Sequence, residues 1–215
     1  MEDEIMRKFL SVNKQSNSPR IGKYASKKET FYEDIEKWQN ERTKEKYDIK
    51  PIQFTFEITN RCNCNCKDCG MSANSIIEGK TKLTENDVYK LVDDLYENGV
   101  PAFSITGGEP FIRKDIPEIV RELYKKSDRI VISTNGYFTD RIIALCNEFP
   151  KVGIRISIEG LQETNDKIRG IPDGFKRGYG TLKKLVEMGH PDVGFGMTVQ
   201  DMNCEDLVPL YEISN

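Results

Sequence analysis

No apolar run in the sequence approaches the ~20 residues that a membrane-spanning helix needs. The opening stretch, MEDEIMRKFL, is acidic and has no apolar signal-peptide core. Neither sign of charge is in excess. The 32 Lys and Arg residues stand against 35 Asp and Glu, a formal net charge of −3. That balance argues against nucleic acid or an acidic membrane surface as partner. No Gly-x-Gly-x-x-Gly follows any candidate strand, which counts against dinucleotide binding in an open doubly wound sheet. Histidine is nearly absent: the only one, His190, sits between Gly189 and Pro191, a loop setting without catalytic work. The expectation is a cytoplasmic protein in a reducing compartment, with no nucleic-acid or membrane partner. At 215 residues, 37% hydrophobic, the chain has one domain's worth of core-forming residues.

Cysteine is the residue that is concentrated. Four of the six fall between Cys62 and Cys69, in EITNRCNCNCKDCG. Cys62, Cys66 and Cys69 are spaced C-x3-C-x2-C. Clustered thiolates are soft ligands that suit iron–sulfur centres or zinc. Three of them can hold three corners of a cubane and leave the fourth iron without a protein ligand. An electron-transfer ferredoxin fills all four corners with cysteine. Zinc would need four ligands, and Cys64 could supply the fourth. However, Cys62-x-Cys64-x-Cys66 is too tight for paired knuckles, and no histidine is near. A disulfide framework is disfavoured by the crowding and by the lack of a secretory signal. Cys64 reads as a bystander. Cys146 and Cys204 read as small buried or half-buried residues.

The first 50 residues are polar, with Ser, Asn and Pro clustered in SVNKQSNSPRIGKYASKK, and read as an N-terminal extension. A helix is predicted over 29–47, with Phe31, Ile35 and Trp38 as a narrow apolar stripe. The organised core starts at Pro51 and runs to the end. Strands are predicted at 52–59, 102–106, 129–134, 153–158 and 193–199. Helices are predicted at 84–98, after Asp115 and Pro117, at 139–149, with its core at 181–188, and at 205–213. Strands alternating with helices imply βα units and a parallel sheet. Five such units fit a partial (β/α) barrel of the α/β class, whose active rim lies at the strand C-terminal ends. Those ends read TNRCNCNC, TGGEP, STNG, SIEG and TVQDMN.

One face of the strands is apolar: Ile52, Phe54, Phe56 and Ile58; Ile130 and Ile132; Ile154, Ile156 and Ile158; Phe195, Met197 and Val199. The other face carries Glu57, Thr59, Ser104, Thr106, Ser133, Asn135, Arg155, Ser157, Glu159, Thr198 and Gln200. Buried polar groups without partners cost a few kcal/mol each. The polar faces therefore predict a lumen holding water or a polar ligand.

The cysteine triplet after a strand, followed by Gly107, Gly108, Glu109 and Pro110, resembles the radical S-adenosylmethionine (radical SAM) enzymes. The likeness runs from about Pro51 to the end of the chain. It departs from the family's habit at Asp68, where an aromatic residue often precedes the third cysteine. The resemblance implies that Cys62, Cys66 and Cys69 hold a 4Fe–4S cluster whose open iron binds S-adenosylmethionine. Reductive cleavage would then give a 5′-deoxyadenosyl radical that abstracts hydrogen from a substrate. It also implies an electron donor such as flavodoxin or ferredoxin. The GGEP backbone is expected beside the methionine end of S-adenosylmethionine, with Glu109 accepting from its amino group. Ser133, Asn135, Ser157 and Glu159 are expected to contact ribose and methionine. Arg169 would pair with the methionine carboxylate or with a neighbouring acid, and Asn203 matches a family habit with a cofactor or a structural role. The segment IEGLQETNDKIRG to TVQDMN looks like the branch with an extra C-terminal cluster domain, which modifies peptides and proteins among other substrates. The chain stops after the fifth helix, where that family usually continues into a sixth strand, so a truncated or unusually short barrel is expected. The competing readings are a non-catalytic iron–sulfur carrier and a zinc-stabilised binding module.

Overall fold

A computed structural model describes residues 52–67, 69–70 and 84–214. The expected helix over 29–47 lies outside the described residues. Lys50–Asn215 forms one compact unit. Its sheet has five strands, all parallel: β1 (Phe54–Glu57), β2 (Ala102–Thr106), β3 (Arg129–Thr134), β4 (Gly153–Ser157) and β5 (Val193–Gly196). The strands lie side by side in chain order, β1-β2-β3-β4-β5. A doubly wound sheet would reverse its order at a switch point. The unbroken order is that of a partial (β/α) barrel.

Helices α1 (Glu85–Glu97), α2 (Ile116–Lys126) and α3 (Thr139–Glu148) follow the first three strands. Two helices, α4 (Gln162–Arg169) and α5 (Gly174–Glu187), fill the fourth connection, and α6 (Leu207–Ile213) follows β5. Thr84 caps α1 in a capping box: its hydroxyl accepts from the Asp87 N–H, and the Asp87 carboxylate accepts from the Thr84 N–H.

Register explains the core. Phe56, Ile105, Ile132, Ile154 and Val193 are paired in one row across all five strands. Ile105, Ile132, Ile154 and Ile156 are fully buried, among Val88, Val92, Ile119, Leu123 and Leu185 from the helices. Each such side chain contributes about 1.5–3 kcal/mol of burial. The alternate positions Ser104, Thr106, Ser133 and Ser157 are only half-buried, on the polar face.

The structure corrects several expectations. Ile52 precedes β1 and is 81% exposed, and Val199 is 55% exposed. The fifth strand ends at Gly196 because later backbone groups go to side chains. Thr198 N–H donates to Glu159, and Asn203 takes Thr198 C=O and Gln200 N–H. Helix α4 was not expected, and α5 extends from Gly174 ahead of the expected core at 181–188. Leu207–Ile213 is preceded by a 3-10 turn, Cys204–Asp206. Cys146 is buried, whereas Cys204 is exposed. No helix among the described residues is long and apolar enough to cross a membrane.

Candidate functional site

The strand C-terminal ends surround a cavity of about 440 Å³, within the range of small-molecule sites. Its wall on the β1 side is the cysteine loop, held by backbone contacts from both flanks. Gly108 N–H donates to Thr59 C=O at 2.6 Å, and Glu109 N–H donates to Arg61 C=O at 2.8 Å. A Cβ at Gly107, where φ is 135°, would lie 2.3 Å from Thr59 O, and one at Gly108 would lie 2.2 Å from Arg61 O. The Gly-Gly pair is therefore required by the close approach of these two segments. From behind, Arg113 Nη1 donates to Ile58 C=O at 2.8 Å while its guanidinium pairs with Asp115. From the other flank, Asn65 N–H donates to Arg169 C=O at 3.0 Å. Gly170, at φ 59°, packs so that a Cβ would sit 2.4 Å from Asn65 O.

Cys62, Cys66 and Cys69 line the cavity, with Gly107 and Gly108, Ser133 and Asn135 from the β3 exit, and Ser157, Glu159 and Arg169 from beyond β4. Thr106, Thr198 and Gln200 complete the polar lining, as the strand faces predicted. Arg155, expected on that face, is drawn to Asp192 at 2.5 Å instead. Glu109 and Pro110 do not reach the cavity. Both are buried, and Glu109 is 0% exposed. Its Oε1 accepts from Phe111 N–H and Thr134 Oγ1, and its Oε2 accepts from Asn135 N–H. Phe111 and the β3 exit thus supply three donors to one buried carboxylate.

Arg169 pairs with a neighbouring acid, Glu159, at 3.4 Å. Glu159 is fixed on every side. Its Oε2 accepts from Thr198 N–H, its N–H donates to Asn165 Oδ1, and its C=O accepts from Asn203 Nδ2. Asn203, 1% exposed, therefore staples the β4 and β5 exits together. Asn165, 2% exposed, had no signal in the sequence; it stands in a polar helix with only one apolar residue, Ile168. His190 caps nothing in the cavity; its Nε2 lies 2.7 Å from Val152 C=O.

The electrostatics favour thiolates. A hydrogen bond from Cys64, working against burial, brings the Cys62 thiol down to about 6, aided by the Cys64 N–H and the Arg169 charge. The Cys66 thiol falls to about 7, through Cys64 against burial and with Arg169 again helping. The Cys64 thiol is pushed up because it serves as donor to both neighbours. Arg169 stays charged: burial opposes this, but Cys66, Cys64 and Glu159 outweigh it. Metal ligation needs deprotonated sulfur, and these two cysteines reach that state readily.

Among the described residues, no three His, Cys, Asp or Glu side chains converge closely enough for a single ion. Cys62, Cys66 and Cys69 all border this one cavity, and three thiolates can hold three corners of a 4Fe–4S cluster with room beside it for a polar ligand.

The family profile for the radical SAM superfamily matches residues 56–212. The Fe-coproporphyrin III synthase of Methanosarcina barkeri is 35% identical over 169 residues, covering 77% of this chain and 41% of that protein. The sporulation killing factor maturation protein SkfB of Bacillus subtilis is 30% identical over 166 residues, 75% of this chain and 39% of that protein. The chain thus spans less than half the length of these relatives. The crystal structure of Streptococcus suis SuiB bound to S-adenosylmethionine superposes with a TM-score of 0.68 at 17% identity, over 98% of this chain and 48% of that one. Native anSMEcpe with bound AdoMet gives 0.60 at 17% identity, over 74% and 47%. These two likenesses show the fold; the matched span, over a barrel rim that carries the cysteine loop, shows the family. This chain belongs to the radical SAM superfamily, whose enzymes use a 4Fe–4S cluster and S-adenosylmethionine.

Proposed function

We propose that Cys62, Cys66 and Cys69 ligate the 4Fe–4S cluster and that S-adenosylmethionine occupies the rest of the cavity. The observation that carries this reading is the single 440 Å³ space bordered by all three sulfurs, the Gly107-Gly108 bend and the Glu159–Arg169 pair. Bound there, the two groups supply a 5′-deoxyadenosyl radical that takes a hydrogen atom from substrate. The chain's own residues do the positioning. Gly107 and Gly108 present backbone beside the cysteine loop. Ser133 and Ser157 offer hydroxyls from adjacent strands. The Glu159–Arg169 pair offers one acceptor and one cation to a ligand that carries both an ammonium and a carboxylate. The polar cavity lies at the mouth of the sheet, above the apolar core, and the electron is expected from a flavodoxin- or ferredoxin-type donor in the cytoplasm.

A peptide or protein is the substrate class we favour, because SkfB and the antilisterial bacteriocin subtilosin biosynthesis protein AlbA, 30% identical over 142 residues, are among the relatives. A tetrapyrrole is the second reading, favoured by the likeness to the Fe-coproporphyrin III synthase and to an AdoMet-dependent heme synthase, 30% identical over 167 residues. The test is anaerobic reconstitution followed by reduction with S-adenosylmethionine present. 5′-Deoxyadenosine should form in the native chain and not in Cys66→Ala. Stimulation by a precursor peptide or by a porphyrin separates the two substrate classes. A colourless protein that retains zinc would overturn the cluster assignment.

A further inference from the structure

At the cavity wall, Asn135 from the lining and the buried Glu109 behind it join three strand exits. The Glu109 carboxylate accepts Asn135 N–H at 2.7 Å, Thr134 Oγ1 at 2.8 Å and Phe111 N–H at 3.0 Å. The Asn135 side chain then divides in two directions. Its Oδ1 accepts Tyr137 N–H at 2.9 Å, which fixes the amide plane. Its Nδ2 crosses to the cysteine loop, 2.7 Å from Asn63 Oδ1 and 3.4 Å from Cys64 Sγ. Both carboxylate oxygens of Glu109 and both ends of the Asn135 amide are therefore engaged within the chain. Glu109 is 0%, Asn135 7% and Cys64 7% exposed.

We propose that Asn135, locked by Glu109, is a positioning residue that seats the cysteine loop through Asn63 and Cys64. The inference rests on the assignment of Cys62, Cys66 and Cys69 as cluster ligands. The two gripped residues lie between the first two ligands in the chain. Holding them fixes the directions in which Cys62 and Cys66 leave the backbone, and Cys64 N–H donates to Cys62 Sγ at 3.4 Å. A loop ordered in advance loses less conformational entropy when its ligands bind, and residues behind the ligands orient them. Cys64 is then more than a bystander, because its sulfur is the inner foothold of the clamp. The clamp also accounts for a buried glutamate in a bend whose glycines alone face the cavity.

The test compares Asn135→Ala, Asn63→Ala and Glu109→Gln with the native chain. In the cofactor-free protein, amide exchange at Cys64 and Asn65 should quicken about tenfold in Asn135→Ala, on the order of losing one or two net hydrogen bonds, while β2, β3 and β4 amides keep their rates. After reconstitution, an iron chelator should strip the cluster from this variant about tenfold faster. Asn63→Ala lies on the loop itself, so it keeps the test open if Asn135→Ala does not fold; its changes should have the same direction. Glu109→Gln should act in the same direction as well. Native exchange and native chelator rates in both asparagine variants would overturn the proposal. Failure of the ligand assignment looks different: the native chain takes no cluster, or Cys66→Ala holds one as well, and the exchange measurement still reports on the clamp.

Discussion

Gly108→Ala should dismantle the seat of the cysteine loop. The new Cβ would lie 2.2 Å from Arg61 O and 2.5 Å from Arg61 C, where ordinary contact begins at 3.4 Å. Arg61 is backbone at that point, so no flexible side chain can yield, and the two segments must part by about 1 Å. That separation breaks the 2.6 Å bond from Gly108 N–H to Thr59 and the 2.8 Å bond from Glu109 N–H to Arg61. Losing two backbone bonds, with their groups partly desolvated, costs about 2–5 kcal/mol. Gly180→Ala is the matched control. Its Cβ meets nothing within 4 Å, and it lies inside α5. Alanine there should gain about 0.5–1 kcal/mol. Urea unfolding of the cofactor-free chain reads both effects, and iron content after reconstitution reads the consequence for the loop. The reasoning fails if Gly108→Ala stays within about 0.5 kcal/mol of the native chain and takes up iron normally.

Asn203→Ala removes an amide that satisfies Glu159 C=O, Thr198 C=O and Gln200 N–H; it should cost about 2–4 kcal/mol in urea unfolding, and a native midpoint would refute the staple. Burial lifts the Glu109 carboxyl from 4.5 to about 6 against three hydrogen-bond donors. A carboxyl raised on folding favours the folded state while protonated, so about 2 kcal/mol of stability should be present below pH 4.5 and lost as pH rises through about 6. The difference between native and Glu109→Gln unfolding free energies should trace that loss, and a pH-independent difference would count against it. In the cofactor-free chain, alkylation of Cys62 and Cys66 should follow thiols titrating near 6 and 7. Arg169→Gln should move both upward by removing the guanidinium charge, and unchanged alkylation profiles would show that the charge acts elsewhere.

The three central strands were legible because they are short runs of β-branched residues bounded by turn residues. AFSIT and RIVIST occupy the expected spans, and GIRISI loses only Ile158. The cysteine loop and the Gly-Gly bend were legible because each has a spacing that only a few geometries use. Helix α4 was not, since QETNDKIR buries only Asn165 and Ile168 and has no apolar stripe. The first half of α5 was hidden by Gly174, Gly178 and Gly180, which lower helix propensity. Gly178 also lies at a close approach, since a Cβ there would lie 3.1 Å from Asn135 O. The direction of Glu109 could not be read either. Sequence shows a carboxylate at a strand exit; only the fold shows that three donors wait on its inner side. The same holds for Asn203, whose three partners come from segments up to 44 residues away.

The most direct measurement is the iron and sulfide content of the anaerobically reconstituted chain, with its spectrum recorded before and after S-adenosylmethionine is added. The account predicts one 4Fe–4S cluster per chain, a spectrum that changes with S-adenosylmethionine, and loss of both in Cys66→Ala. A cluster indifferent to S-adenosylmethionine, or one that survives removal of Cys66, would contradict it.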